Sequence, residues 1–347
     1  MGRTPAPRSP ESTAMFREAA EAPAAVARML TANRAACAEL GERLRESPPR
    51  VVVTLGRGSS DHAATYAKYL IESSAGVVTA SGAPSISSVY QARPEVRDVL
   101  FLAISQSGRS PDLLAALESA RAGGARVVAL VNDAGSPMAG LADVVLPLHA
   151  GPETSVAATK SYIAALAATA QLTAAWTGDA ELAAALERLP DQLQAAWSMD
   201  WSAAVDVLTP AQHLYVLGRG PGFAAAQEAA LKLKETCGLH AEAFSAAEVL
   251  HGPMALVEPK FPVLVLAQGD ESEAGVVALA RSLADREARV LLAGADGPGA
   301  LPFARAHPTL QPITLIQSFY RAANALSLAR GFDPDHPPRL RKVTETV

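Results

Sequence analysis

Glu228, Lys232 and Glu235 stand at i, i+4 and i+7 in the stretch QEAALKLKETCGLHAEAFSAAEVLHGP. A helix over 228–236 therefore puts two carboxylates and an ammonium on one face and turns Lys234 elsewhere. A surface ladder of Glu and Lys is the commoner use of that spacing. Here Ala and Leu fill the positions between, and His240, Glu242, Glu248 and His251 follow within a few turns. A carboxylate beside an ammonium and an imidazole suits proton transfer next to a carbonyl. Gly252-Pro253 after His251 forms a tight turn that would hold its ring; the alternative is a structural histidine. His62, His213, His307 and His336 belong to no motif and read as structural or exposed.

A second group of polar residues ends an apolar run. Residues 98–110 read DVLFLAISQSGRS. The apolar part reads as a strand buried on both faces, and it passes straight into Ser105, Gln106, Ser107, Gly108, Arg109 and Ser110, with a helical pattern from Pro111. Ligands of parallel sheets sit above the carboxyl ends of the strands, where the next helix points free N–H groups and its positive dipole end. Hydroxyls at 105, 107 and 110 add donors, and Gly108 lets the backbone approach closely. Together these would cradle a phosphate without a Walker lysine. Ser59 and Ser60, after Gly56-Arg57-Gly58, would face the same crevice. The alternative for such hydroxyls is helix capping. Neither GRGSS nor GRGPG is GxGxxG, so a dinucleotide site has little support.

These groups need a scaffold, and the pattern supplies one. Met15 to about Glu46 has helical periodicity with a break near Pro23. Strand-like runs then alternate with helical ones: VVVTL, GVVTAS, VLFLAIS, ARVVALVND and DVVLPL. Near-continuous apolar strands alternating with helices indicate a parallel sheet covered on both faces. Residues 153–206 are rich in Ala and Leu and read as all-helical. The pattern then restarts. Gly56 and Gly218 lie 162 residues apart, as do Gln106 and Gln268, and Arg126 and Arg289 lie 163 apart. Matches in one order at nearly one spacing indicate an internal duplication. The second copy carries Asp270 and Glu271 where the first has none, so an anion is expected only in the first.

The 347 residues suffice for two domains with full cores, and 49% hydrophobic with 19% charged residues is a globular composition. A net charge of −5 argues against nucleic acid or an anionic membrane as partner. Two cysteines outside any CxxC or Cys/His cluster fit a reducing compartment and no structural zinc, and no spacing suggests any metal. No apolar run reaches the length of a membrane span. The Pro/Ser/Thr-rich start lacks an apolar signal core, so the expectation is a floppy tail, 1–14, on a cytoplasmic protein. The expected division continues with helices 15–49, a first unit 50–204, a second unit 205–330 and a tail 331–347.

SQSGRSPD, SVAATK, ALKLKETCGLHAEAFSAAEVLHGP and LRKVTET closely resemble motifs of the sugar isomerase (SIS) family. They look most like the isomerase half of glucosamine-6-phosphate synthases and their deaminase-like relatives, from about residue 15 onward. The resemblance implies two tandem doubly wound α/β units of flavodoxin-like, three-layer αβα type, with no cofactor. It assigns the sugar phosphate to Ser60, Ser105, Gln106, Ser107 and Ser110, and the sugar to Glu153, Val156, Ala157 and Thr159. Glu235 would move the proton between C1 and C2, with Lys232 in support. His251 would open the sugar ring, and Lys342 would form a Schiff base. It also implies a homodimer in which His251 reaches the neighbour's site. Arg109, Ala158 and Arg341 depart from the synthase pattern and bear on which sugar is taken. The synthases carry a glutaminase domain with a catalytic cysteine. None is seen here, so the expectation is release of ammonia from glucosamine 6-phosphate to give fructose 6-phosphate. Cleavage of a fructose–amino-acid 6-phosphate conjugate, deamination of galactosamine 6-phosphate, ammonia-dependent synthesis of glucosamine 6-phosphate and a non-catalytic sugar-phosphate sensor are the other readings.

Overall fold

A computed structural model describes residues 9–342. Two helices come first, α1 (Ala14–Ala20) and α2 (Ala22–Glu46). The break falls at Glu21, because Pro23 is tolerated only in the first turn of a helix, where no amide hydrogen is needed. The first α/β unit runs β1 (Val51–Leu55), α3 (Ser59–Leu70), β2 (Thr79–Ser81), α4 (Ser85–Ser88), β3 (Val99–Ser105), α5 (Pro111–Ala122), β4 (Arg126–Val131), α6 (Pro137–Leu141) and β5 (Val144–Pro147). Three helices follow, α7 (Lys160–Thr177), α8 (Ala180–Trp197) and α9 (Ser202–Leu208). The second unit runs β6 (His213–Gly218), α10 (Gly222–Cys237), β7 (His240–Ser245), β8 (Pro262–Leu266), α11 (Glu273–Asp285), β9 (Arg289–Ala293) and α12 (Gln311–Ala329).

Every strand pairing is parallel, in the orders β2-β1-β3-β4-β5 and β7-β6-β8-β9. The second order repeats the first four strands of the first, which is the topology a duplication produces. β3 and β8 lie inside their sheets with helices on both faces, so all of β8 and all of β3 after Val99 are buried. In the first sheet the order reverses between β1 and β3, so the loops Gly56–Gly58 and Gln106–Ser110 diverge and leave a crevice at the carboxyl ends.

Two expectations are corrected. Residues 153–159 are not helical; helix begins only at Lys160, after a loop tied by the Glu153 carboxylate. The strand expected over 76–81 covers only Thr79–Ser81, because α3 runs on through a π turn, Ile71–Ala75, and Gly76 then ends it at φ +67°. One large core joins α2, α7, α8, α10 and α12 to the inner faces of both sheets, with Met29, Leu166, Leu186, Ala226 and Phe319 buried together. α7 is buried nearly all round, so its sequence is evenly apolar rather than amphipathic. The chain end is fastened to this core: both Asp335 carboxylate oxygens accept N–H bonds from α1, from Ala14 and Met15 at 2.8 Å each. The expected tail 1–14 lies outside the described residues up to position 8; Pro10–Ser12 forms a 3-10 turn and Thr13 caps α1.

Candidate active site

A cleft of about 380 Å³ opens at the carboxyl ends of β1 and β3. Its floor is the loop after β3. Ser105 Oγ accepts the Gly108 N–H at 2.9 Å, which folds the loop back on itself. Gly108 has φ +65°, and a Cβ there would stand 2.2 Å from Ser136 Oγ, so only glycine fits. Ser110 precedes α5 but makes no capping hydrogen bond. Its hydroxyl lines the cleft with Gln106 and Ser107, opposite Ser59 and Ser60 at the start of α3. Capping of α5 is therefore not what the Ser110 hydroxyl does.

Arg57 joins the two loops. Its Nε donates to Asp112 Oδ2 at 2.8 Å, and its Nη2 donates to the same oxygen. Asp112 lies in the first turn of α5 with its side chain 1% exposed, while half the Arg57 side chain remains accessible at the cleft. The sequence held no signal for this pair, since the partners are 55 residues apart.

α10 supplies the opposite wall. Lys232 is buried, yet it lies between two carboxylates: Nζ stands 3.4 Å from Glu228 Oε1 and forms an ion pair with Glu235. Lys232 and Glu235 line the cleft, whereas Lys234 is exposed on another face. Glu228 is wholly buried behind them. Its Oε1 accepts from Ser59 Oγ at 3.1 Å and from Tyr320 OH at 3.0 Å, and its Oε2 meets His62 Nδ1 at 3.0 Å. Burial alone would drive Lys232 toward neutrality. The charges of Glu228 and then Glu235 outweigh it and hold the ammonium above the ordinary lysine value. Burial likewise pushes the Glu228 carboxyl up, but Lys232 and the His62 hydrogen bond bring it below the ordinary glutamate value.

These opposite shifts set a pH window. The lowered Glu228 stabilises the fold above its unfolded value near 4.5, and that stability is lost as pH falls through the folded value. The raised Lys232 stabilises below its unfolded value near 10.5, and that stability is lost as pH rises through the folded value. Lys232→Met leaves Glu228 buried without its cation and is expected to destabilise by about 3–5 kcal/mol at pH 7. The deficit should narrow as the pH is lowered toward 4.5, because Glu228 then protonates in the variant. Thermal unfolding from pH 4 to pH 9 checks this, and a deficit independent of pH would contradict it.

The loop before α7 lies differently from the expectation. Of the residues expected to contact the sugar, Val156 lines the cleft, together with its neighbour Ala158. Glu153, Ala157 and Thr159 are buried beneath the cleft surface. The Glu153 carboxylate accepts from Thr159 N at 2.9 Å, Ser161 N at 3.3 Å and Ser161 Oγ at 2.6 Å, so it is consumed in holding the start of α7. Lys342 enters over this loop. Its Nζ donates to Ser155 O at 2.7 Å and stands 3.6 Å from Glu153 Oε2. Arg341 lines the same cleft. Arg109 does not; it is exposed and bonded to Asp133 at 2.8 Å.

His251 is exposed, between the 3-10 turns Glu248–Leu250 and Pro253–Leu256, and does not line the cleft of its own chain. His240, Glu242 and Glu248 are also exposed, on or just after the edge strand β7. The second unit's crevice is filled. Gln268 Oε1 would stand 2.3 Å from a Cβ on Gly222, and its Nε2 donates to Asp270, which also accepts from Ser272. A side chain and a carboxylate thus occupy the place that the first unit leaves open. Among the described residues no group of three or more His, Cys, Asp or Glu is placed to hold a metal. Burial pushes the thiols of Cys37 and Cys237 up to about 12 and about 11, which makes both poor nucleophiles. No helix among the described residues is long and apolar enough to cross a membrane.

The SIS domain family model matches residues 47–175 and 207–295. Glutamine–fructose-6-phosphate aminotransferase (isomerizing) of Aeropyrum pernix is 37% identical over 320 residues, which is 85% of this chain and 51% of the relative. The enzyme of the same name from Zymomonas mobilis is 35% identical over 313 residues, 84% of this chain and 51% of the relative. The chain spans about half the length of the curated relatives it matches. Among solved structures, a protein assigned as a phosphosugar isomerase from Silicibacter pomeroyi superposes with a TM-score of 0.89 at 44% identity, over 93% of this chain and 100% of that one. The C-terminal domain of glucosamine-fructose-6-phosphate aminotransferase from Francisella tularensis shares the fold, with a TM-score of 0.85 at 24% identity over 94% of this chain and 98% of that one. Family matches that fall on each sheet in turn, with both sheets parallel and in the same strand order, place this chain in the SIS domain family, with one SIS-type sheet in each half.

Proposed function

We propose that this chain is an amino-sugar-phosphate isomerase-deaminase that converts glucosamine 6-phosphate and water to fructose 6-phosphate and ammonia. The observation that carries the reading is convergence. The hydroxyl-lined loops after β1 and β3 share one cleft with Lys232 and Glu235 of α10 and with Lys342, although these groups come from four separate parts of the chain. Its relatives at 37% and 35% identity are named for an aminotransferase of fructose 6-phosphate, and the isomerisation of an amino sugar is chemistry of that kind.

The cradle binds the phosphate through Ser60, Ser105, Gln106, Ser107 and Ser110, with the α5 amide N–H groups beneath it. That fixes the open-chain sugar over α10. The Glu235 carboxylate takes the proton from C2 and returns it to C1 while one amine proton passes to O1, so the C1=O double bond becomes C2=N and an imine stands at C2. Water adds to the imine carbon and ammonia departs. Lys232 holds the Glu235 carboxylate and stabilises negative charge developing on the sugar. Lys342 supplies an amine that can condense with the C2 carbonyl of fructose 6-phosphate, losing water, when the reaction runs the other way. His251 opens the ring from a neighbouring copy, which makes the active species a homodimer.

Purified protein mixed with glucosamine 6-phosphate in the absence of glutamine should release ammonia and fructose 6-phosphate in equal amounts. Arg341 beside Lys342 favours a second reading, a conjugate of fructose 6-phosphate with an amino acid, whose extra carboxylate the guanidinium would meet. Turnover of such a conjugate with none of glucosamine 6-phosphate would select it. Tight phosphosugar binding with no turnover of any candidate would leave a sensor.

A further inference from the structure

We propose that His62 is a positioning residue for the acid/base pair, fixing Glu228 from the opposite SIS unit and through it Lys232 and Glu235. This rests on the reading of Glu235 as the group that moves the C1/C2 proton. The contact itself stands on geometry. His62 lies in the first turn of α3, whose first two residues, Ser59 and Ser60, line the cleft. Its side chain is 17% exposed, and its Nδ1 is 3.0 Å from Glu228 Oε2, across 166 residues of sequence. Ser59 reaches the other oxygen of the same carboxylate at 3.1 Å. One helical turn therefore presents a hydroxyl to the substrate phosphate and, from its inner side, two groups to the carboxylate behind the base.

Glu228 cannot act directly, since it is wholly buried and does not line the cleft. Its role is to hold Lys232, which it meets at 3.4 Å and which in turn grips Glu235. A carboxylate that faces Lys232 with one oxygen needs a donor on the other to keep its plane fixed. His62 Nδ1, 3.0 Å from Oε2, stands where that donor belongs, and an N–H at this nitrogen would supply it. The charged and titratable groups around this cluster are Lys232 and Glu235 on α10, Asp61 beside His62 on α3, Arg57 just before it, Tyr320 on α12 and Tyr162 on α7. Tyr320 donates to Glu228 Oε1, so among the described residues His62 and Lys232 are the two that bring a group able to carry positive charge into contact with that carboxylate.

The test uses His62→Leu and His62→Asn in the full chain. His62→Leu should lower kcat for C1/C2 proton exchange in fructose 6-phosphate by about ten- to a hundredfold and leave KM unchanged. It should also move the acid limb of the pH profile upward, since Glu228 loses a bond to its ionised form. His62→Asn restores a donor at nearly the same place and should recover most of the loss. A second arm needs no turnover. In ¹⁵N-histidine NMR at pH 7 the His62 Nδ1 resonance should move in Glu228→Gln relative to the parent, because the oxygen it meets at 3.0 Å is replaced. If His62→Leu fails to fold, His62→Asn and the NMR comparison decide alone. An unchanged kcat and profile, an Asn variant no better than Leu, or a His62 Nδ1 resonance indifferent to Glu228→Gln would each overturn the proposal. A parent protein that exchanges no proton in any phosphosugar would instead overturn the activity reading, while the NMR arm still reports on the contact.

Discussion

Glu235→Gln is expected to lower turnover of glucosamine 6-phosphate by about a thousandfold while leaving the affinity for fructose 6-phosphate within about threefold. Among the described residues the side chain is the one carboxylate that lines the cleft, 21% exposed and held by Lys232. Glutamine keeps its size and can still accept a hydrogen bond from the ammonium, but it cannot take a proton from carbon. The phosphate loops lie on other elements, so binding energy from the phosphate should persist. Isothermal titration and a coupled assay for fructose 6-phosphate separate the two effects. Near-normal turnover in the variant would remove Glu235 from the mechanism. Loss of binding together with turnover would mean that the side chain shapes the cleft.

Removing residues 338–347 should abolish turnover, by about a hundredfold or more, and shift Tm by no more than about 2 °C. Two anchors explain the separation. Asp335 holds the N-terminus of α1 through two hydrogen bonds, and the truncation keeps it. Lys342 is lost, and its ammonium reaches the cleft through a single bond to Ser155 O with Glu153 nearby. Exposed Pro338, Arg339 and Leu340 contribute little burial to the fold. Lys342→Ala should reproduce the activity loss alone. A truncated protein that unfolds would make the tail structural, and full activity in Lys342→Ala would deny the amine a role.

How far the sequence reaches differs from element to element. Local rules were enough wherever a feature repeats along one segment. The i, i+4, i+7 spacing put Glu228, Lys232 and Glu235 on one face of α10 because a helix fixes that geometry by itself. Continuous apolar runs located β3 and β8, since a strand buried on both faces has no polar side to show. The 162-residue offset announced two similar sheets, which share the order of their first four strands. The hydroxyls after β3 were legible as a ligand loop because strand, glycine and helix start adjoin in sequence.

Only the tertiary structure decided which polar groups meet across the fold. The resemblance implies that Glu153, Val156, Ala157 and Thr159 line the sugar, yet Glu153, Ala157 and Thr159 are buried: the start of α7 leaves bare N–H groups, and the Glu153 carboxylate accepts from them. His62 carried no motif and proved to hold Glu228, and Arg57 proved to hold Asp112. Tyr320 joined the same carboxylate from α12. Each of these pairs satisfies a buried charge with a partner 55 to 166 residues away or, for Tyr320, 92. A buried carboxylate must find donors, but nothing in its own neighbourhood of sequence says where they lie. The sequence by itself therefore determined the elements and the chemical types brought to one end of the first sheet. The packing of α3, α10 and α12 determined which of those groups are held in place and which are left to face a ligand.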